Sequence, residues 1–313
     1  MKGVDLYMAF GLQTYDDKSI KEDLLDIISD VSPDENPIST MIGTNEAKQT
    51  VHQWLEDYIG RPTSNSGAVE GAAATYADLT QPVRRTNVTQ IITQTVRVSG
   101  TERAVAVAGA ADPFTYQQNK ALRQWKNKQE FAFVRASTTS GASGTGATMA
   151  GIEAIITSHY TARLSGTSLS ESEINSMQLD VATDVGSDDV FDMILTTLQL
   201  RQKISTFTAG NTRYVDAKDF KLVRKVMVYE GDFGPMRIFG HKDVSVSAAT
   251  PGPRVIGFKE NKWKKAYLTG RQPKFEMLAK DGDRENGQIV GEVTLEFLAE
   301  RANAMRSGYA YTG

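Results

Sequence analysis

One connector limits what this chain can fold into. Between a strand-patterned run at Thr50–Tyr58 (TVHQWLEDY) and another at Asn87–Val98 (NVTQIITQTVRV) lies GRPTSNSGAVEGAAATYADLTQPVRR, rich in Gly, Ala, Ser and Thr. Loops this long with little structure of their own are uncommon in compact domains and tend to be functional. The second run is rich in β-branched residues, and Val88, Gln90, Ile92, Gln94 and Val96 alternate with Thr89, Ile91, Thr93, Thr95 and Arg97. Much of one face is polar, which predicts a solvated two-stranded ribbon. A ribbon alone is marginal in water, so something outside it is expected to hold it.

The N-terminal stretch raises the same problem. Up to Gly60 there are 12 Asp/Glu against 4 Lys/Arg. One amphipathic segment stands there, SIKEDLLDIISDV, with Ile20, Leu24, Ile27, Ile28 and Val31 at helical spacing. Ser19 and Glu22 offer a capping box, and Pro33 and Pro37 end the segment. A short helix on a polar arm needs an apolar partner elsewhere. The whole chain, by contrast, has a formal charge of only -3, with no global pull towards nucleic acid or an anionic membrane.

Further on, Asp112-Pro113 is a strong helix start, predicting a helix to about Ala136 with Gln118, Leu122, Trp125, Gln129 and Phe133 along one stripe. SGASGTGATMAGI reads as a flexible turn and MAGIEAIITSHY as helical. Residues 165–170 read as a linker, with Ser170 and Glu173 as the capping box of a further helix, SESEINSMQLDVATDVG. VFDMILTTLQLRQKISTF mixes a buried apolar run with a helical pattern. KVMVYEGDFGPMRIFGHKDV reads as a hairpin turning at Gly-Asp-Phe-Gly, and Thr250–Pro253 marks a boundary. The C-terminal stretch adds strands joined by AKDGDRENG. The fold class is α+β with one dominant long helix.

The chemistry of common active sites is missing. There is no Cys, which excludes thiolate metal sites and cysteine nucleophiles. GASGTGAT lacks the Lys of a phosphate-binding loop. The three His, at 52, 159 and 241, accompany no metal-binding motif. No G-x-S-x-G elbow appears, and Asp281, Asp283 and Asn286 read as a solvated turn. No cofactor, metal or catalytic residue is expected, and no apolar run is long enough to span a membrane. No secretory signal is read at the N-terminus, so synthesis in a cytoplasm is expected. The basic stretch 254–274, with Trp263 and Tyr267, is expected to face the chain's own acidic arm, or a neighbour's, more than DNA. Trp54, Trp125 and Trp263 are expected as core or interface anchors.

Several stretches in their order resemble major capsid proteins of tailed bacteriophages with the Hong Kong 97-type fold. They are TYDDKSIKEDLLDIISDVSPDENPISTMIG, VHQWLED, VRVSGTERAVAVAG, KISTFTAG with VYEGDFGPMRIF, and WKKAYL with AKDGDRENGQIVGEVTLE. The resemblance covers nearly the whole chain. It implies an N-terminal arm (1–46), an extended E-loop ribbon (47–102), a peripheral domain with a long spine helix (103–166), an axial domain (167–253) and returning peripheral strands (254–313).

The resemblance further implies a structural protein without enzyme activity. Hexamers and pentamers of it would form the icosahedral head around double-stranded DNA, held non-specifically on the inner face. Assembly would take place in the host bacterial cytoplasm, with portal, scaffold or decoration proteins as further partners. Trp54, Glu56, Asp57, Arg84, Arg85, Lys126 and Lys128 are the expected subunit-interface residues. No Lys stands between Lys48 and Lys120, so covalent sealing through an E-loop Lys is not expected. Nor is a fused helical scaffold ahead of the arm. The rival readings are an encapsulin-like compartment shell, a phage tail or adhesin subunit, and a hydrolase or nucleotide-binding enzyme.

Overall fold

The computed structural model describes residues 36–59, 81–105, 112–207, 228–231, 233–244 and 252–310, with scattered positions between 65 and 76. The amphipathic segment at 19–31 lies outside the described residues, as does most of the connector.

The pattern QIVGEVTLEF forms part of β12 (Arg284–Phe297), around which a five-stranded sheet is built. One edge of β12 pairs antiparallel with β4 (Gln90–Ser99), from Arg284↔Ser99 to Val293↔Gln90. The other edge carries β11 (Lys274–Leu278) and then β10 (Trp263–Leu268), both antiparallel. The end of the acidic stretch enters as α1 (Pro37–Met41) and β1 (Gly43–Ala47), the latter parallel to β10.

Across this sheet lies α3 (Pro113–Arg135), about 35 Å long at 1.5 Å per residue. Its start is as the sequence predicts. Asp112 accepts the Phe114 N–H at 3.1 Å and the Thr115 hydroxyl at 2.7 Å. These bonds, Thr115 first, hold the Asp112 carboxyl below the usual range. The predicted stripe is displaced by one position at its N-terminal half: Ala121, Trp125, Gln129 and Phe133 are buried, but Leu122 is 40% exposed. Trp125 decides the rotation. Its indole donates to the Ile92 carbonyl at 2.8 Å, and its ring lies over Gly291, where a Cβ would come within 2.6 Å of it.

A second sheet of six strands runs in the order β5 (Tyr160–Thr167), β13 (Ala304–Tyr309), β9 (Arg254–Phe258), β6 (Met193–Thr196), β8 (Gly234–Gly240) and β7 (Val228–Gly231). Both faces are covered. Met193, Leu195, Ile256, Phe258 and Met305 join the core around α3, while Ile194, Val255, Ile238 and Ala304 pack under α5 (Glu171–Val185) and α6 (Leu198–Phe207). A strand buried on both faces reads as a continuous apolar run, which explains Met193-Ile-Leu-Thr196. The predicted hairpin is present as β7–β8.

Four expectations are corrected. The run 87–98 is not one ribbon strand. β2 (Val51–Glu56) pairs with β3 (Val83–Val88), and the chain from Gln90 onwards belongs to the main sheet. Its polar face still meets solvent, as the alternation predicts: Thr93, Thr95 and Arg97 are exposed, whereas Ile92, Val96 and Val98 are buried. The segment MAGIEAIITSHY gives a single turn, α4 (Ile152–Ile155). The helix cannot continue, because Glu300 takes the Thr157 and Ser158 N–H groups at 2.6 and 2.7 Å, and residues 165–167 join β5 instead of a linker. Ser170 is the N-cap of α5 by position, but its side chain makes no capping bond. Apart from these four, the strands of 254–313 are shared, β10 to β12 in the first sheet and β9 and β13 in the second. The Gly-rich 137–148 folds back on itself through bridges Thr139↔Thr148 and Ala142↔Thr145.

Candidate assembly surfaces

The ribbon β2–β3 has two faces set by period-two alternation. His52, Trp54 and Glu56 lie opposite Asn87, Arg85 and Val83, while Val51, Gln53 and Leu55 lie opposite Val88, Thr86 and Arg84. The first face docks on its own chain. The Trp54 ring meets Phe297 edge-on at 4.8 Å, and His52 Nε2 lies 3.3 Å from Glu296. Buried Asn87 donates to the Leu295 carbonyl at 2.8 Å and accepts the Ala150 N–H at 2.8 Å. Glu56 accepts from Arg85 Nε at 2.5 Å and from the Glu300 N–H at 3.1 Å. The expectation that something outside the ribbon holds it is met at the root by the chain itself, through Phe297, Leu295, Ala150 and Glu300. The other face is open, with Leu55 66% and Val51 44% exposed and Arg84 exposed beside them.

Where the ribbon leaves the body, Tyr58 donates its hydroxyl to Asp184 Oδ1 at 2.8 Å, and its ring lies 4.2 Å from the Arg301 guanidinium carbon. The Asp184 carboxylate, which favours the protonated phenol, raises the Tyr58 pKa. Asp184 also meets Arg301 at 3.2 Å and His159 Nε2 at 3.3 Å. Beyond this point Ile59 is 91% exposed.

A second junction ties the N-terminal elements to the long helix. Glu130 on α3 is completely buried, yet each of its neighbours donates to it. The Ile38 and Ser39 N–H groups reach it at 2.8 and 2.9 Å, and His241 Nε2 at 2.9 Å. His241 Nδ1 accepts the Asp243 N–H at 3.0 Å. With Nδ1 accepting, Nε2 is the ring nitrogen that donates to the Glu130 carboxyl group. Lys265 donates to the Ser39 carbonyl at 2.5 Å. Burial lowers the Lys265 pKa and Glu130 partly restores it.

The seven expected interface residues fall into two groups. Trp54, Glu56 and Arg85 make contacts within their own chain. Asp57, Arg84, Lys126 and Lys128 are exposed, Lys128 donating to the Thr93 carbonyl at 2.9 Å. The basic stretch from Arg254 is also partly paired internally, Arg254 with Glu153 at 2.9 Å, Lys262 with Asp189 at 3.2 Å and Arg271 with Glu292 at 2.8 Å. Trp125 and Trp263 are core residues. Sequence reasoning missed Tyr58, Asp184, Arg301 and the Glu130–His241 pair. Each is an isolated residue in an ordinary context, and only the fold makes them neighbours.

Among the described residues no group of three His, Asp or Glu side chains is placed to hold a metal ion. The three His each face a different carboxylate. Asp281 is bound by Arg284 at 2.7 Å and by Asn286, and these bonds lower its pKa to about 2. A groove of about 1190 Å³ runs between α3 and β4. Its lining mixes Ile91, Ile92 and Phe131 with Gln, Asn and Thr side chains and with Lys128, Arg135, Lys242 and Asp243, and among the described residues it sets no nucleophile against a base.

A family model described as SU10 major capsid protein matches residues 8–310. A major capsid protein of Escherichia phage Phieco32 is 32% identical over 117 residues, 37% of this chain and 33% of that protein. The aligned region is thus about a third of that relative's length. Among solved structures, the capsid of an empty GTA particle superposes with a TM-score of 0.63 at 11% identity, covering 95% of this chain and 98% of the other. Gordonia phage Cozz gives 0.62 at 12% identity, covering 98% of each chain. The holo-SrpI encapsulin complex of Synechococcus elongatus PCC 7942 gives 0.55 at 9% identity, covering 91% and 93%. At these identities the structures speak to a shared fold.

Proposed function

This chain belongs to the SU10 major capsid protein family, and on that premise we propose that it is the self-assembling shell subunit of a tailed-phage head. The carrying observation is the two-faced ribbon. Its inner face is spent on its own chain, while Val51, Leu55 and Ile59 stand in solvent beside Arg84. Apolar side chains on an open strand pair are an association hazard unless another surface covers them. A neighbouring copy is that surface, and Asp57, Arg84, Lys126 and Lys128 supply polar contacts at its margin. Trp54, Glu56 and Arg85 act one step behind, holding the ribbon at the angle at which its outer face meets the neighbour.

In this reading the five-stranded sheet and α3 form the peripheral body. The second sheet with α5 and α6 forms the axial body, and hexamers and pentamers close the shell. The role is structural and not catalytic. Assembly takes place in the host cytoplasm around double-stranded DNA held without sequence preference, with portal, scaffold or decoration proteins as further partners. Many modest contacts suffice, because each bound neighbour makes the next contact effectively intramolecular.

Electron microscopy of the expressed protein tests the reading. Closed shells are expected, and Leu55→Asp should lower particle yield at least several-fold while leaving the subunit folded. A compact monomer at high concentration, or tubes or trimers, would overturn it. DNA in particles from infected cells separates a phage head from a compartment filled with cargo protein.

A further inference from the structure

The inner face of the ribbon makes a row of contacts at every second residue. His52 meets Glu296, Trp54 meets Phe297, and Glu56 accepts the Glu300 N–H at 3.1 Å. These three partners stand at the end of β12 or in the turn Glu300–Ala302 that follows it. Tyr58 continues the row but reaches a different body. Its hydroxyl donates to Asp184 of α5, the helix packed on the second sheet, at 2.8 Å to Oδ1 and 3.0 Å to the backbone carbonyl. Arg301 closes the triangle, holding Asp184 at 3.2 Å and lying over the Tyr58 ring.

Tyr58 stands in a cleft of about 630 Å³ between the ribbon and the C-terminal end of α5, with Ile59, Val83, Val185 and Gly186 in its walls. The charges lining the cleft are already matched. Glu56 holds Arg85, Asp189 holds Lys262, Asp184 holds Arg301, and Asp57 accepts the Tyr58 N–H at 2.9 Å. Such walls have little charge left to recruit a ligand, and the cleft is room for movement. The row of contacts also changes character along its length. Trp54 is seated on buried Phe297, whereas Tyr58 is 37% exposed and its contacts are polar. Exposed ion pairs and cation–ring contacts are individually weak. Here they share the same three groups, so they are made and lost together. An attachment of this kind can open while Trp54 stays in place.

We propose that Tyr58, Asp184 and Arg301 form a latch between the ribbon and the second body. Closed, the latch holds the outgoing ribbon in one direction over the cleft. Open, it lets the ribbon pivot about Trp54 with both sheets intact. The direction in which Leu55 and Arg84 are presented is thus set by α5. What this means for assembly rests on the shell reading, which takes that outer face as the contact with a neighbour; the latch itself lies within one chain.

The chain has no Cys, so two introduced thiols can be labelled selectively. Arg84→Cys on the outer face of the ribbon and Leu179→Cys on α5 both stand at exposed positions and accept nitroxides. Full-length labelled chains, diluted in unlabelled excess so that only distances within one chain are read, are measured by double electron–electron resonance. One narrow distance is expected. Tyr58→Phe, which keeps the ring and removes the donor, should shift or broaden it, and Arg301→Gln should do the same. Lys262→Gln, which breaks another ion pair of the cleft, should leave it unchanged. Amide exchange in β12 and β13 should stay slow in all three variants. An unchanged narrow distance in the Tyr58→Phe/Arg301→Gln double variant would overturn the proposal. So would a broad distribution in the parent chain. A distance change accompanied by faster exchange throughout β12 and β13 would also overturn it, by making Tyr58 a support of the core. Particle assembly is scored on unlabelled chains, so failure of the shell reading is seen separately.

Discussion

A single buried carboxylate, Glu130, sets how the N-terminal elements sit. Three donors converge on it in a site without solvent, and removing one partner of such a cluster leaves the others buried and unpaired. Glu130→Ala is expected to cost about 3–5 kcal/mol in chemical denaturation. Glu130→Gln, which keeps one accepting oxygen, should cost less. Asp281 gives the pH dependence. Its folded pKa of about 2 lies below the ordinary 3.8. Its contribution is therefore fully present above the ordinary carboxylate range and is lost as pH falls through about 2. The difference in melting temperature between the protein and Asp281→Asn should be constant above about pH 4 and shrink towards pH 2. A difference that grows on acidification would contradict the geometry. The Glu130 pairing is not visible in sequence, because Glu130 and His241 are separated by 111 positions, whereas Asp281 pairs with Arg284 three residues on.

The elements differ in how far local rules decide them. The start of α3 follows from Asp112-Pro113 alone, and the β7–β8 hairpin from its turn residues. The end of α4 does not, since Glu300 reaches in from the far end of the chain. The ribbon root rests on few contacts, with Trp54 on Phe297 the main apolar one. Trp54→Ala should therefore raise amide exchange in 51–56 and 83–88 while leaving β12 protected, as expected of a unit that opens below the global free energy. Uniform exchange changes across both sheets would show instead that the ribbon is part of the core. At Gly291 even a methyl group would fall 2.6 Å from the Trp125 ring, so Gly291→Ala should destabilise by about 1–3 kcal/mol through overpacking, read as a lower denaturation midpoint.

At the scale of the molecule, two sheets share one chain by exchanging strands. The C-terminal β13 and β9 build the second sheet, while β10–β12 between them build the first. This ties the two bodies together and makes coordinated placement of surfaces possible across the subunit. Assembly through many weak contacts should show a sharp concentration threshold in light scattering. A smooth hyperbolic rise would point to a single strong interface. The sequence by itself determined the long helix, the alternation that gives the ribbon two faces, the acidic arm against a net-positive body, and the absence of familiar catalytic motifs. All of these are local periodicities, cap chemistry or counts. Only the tertiary structure decided that half of the expected ribbon is a core strand, and which ribbon residues face inwards. It alone brought Glu130, His241 and Lys265 to one place. The reason is that strand partners and buried charge pairs are fixed by contacts between residues far apart in the chain, and these carry no signature in the neighbouring sequence.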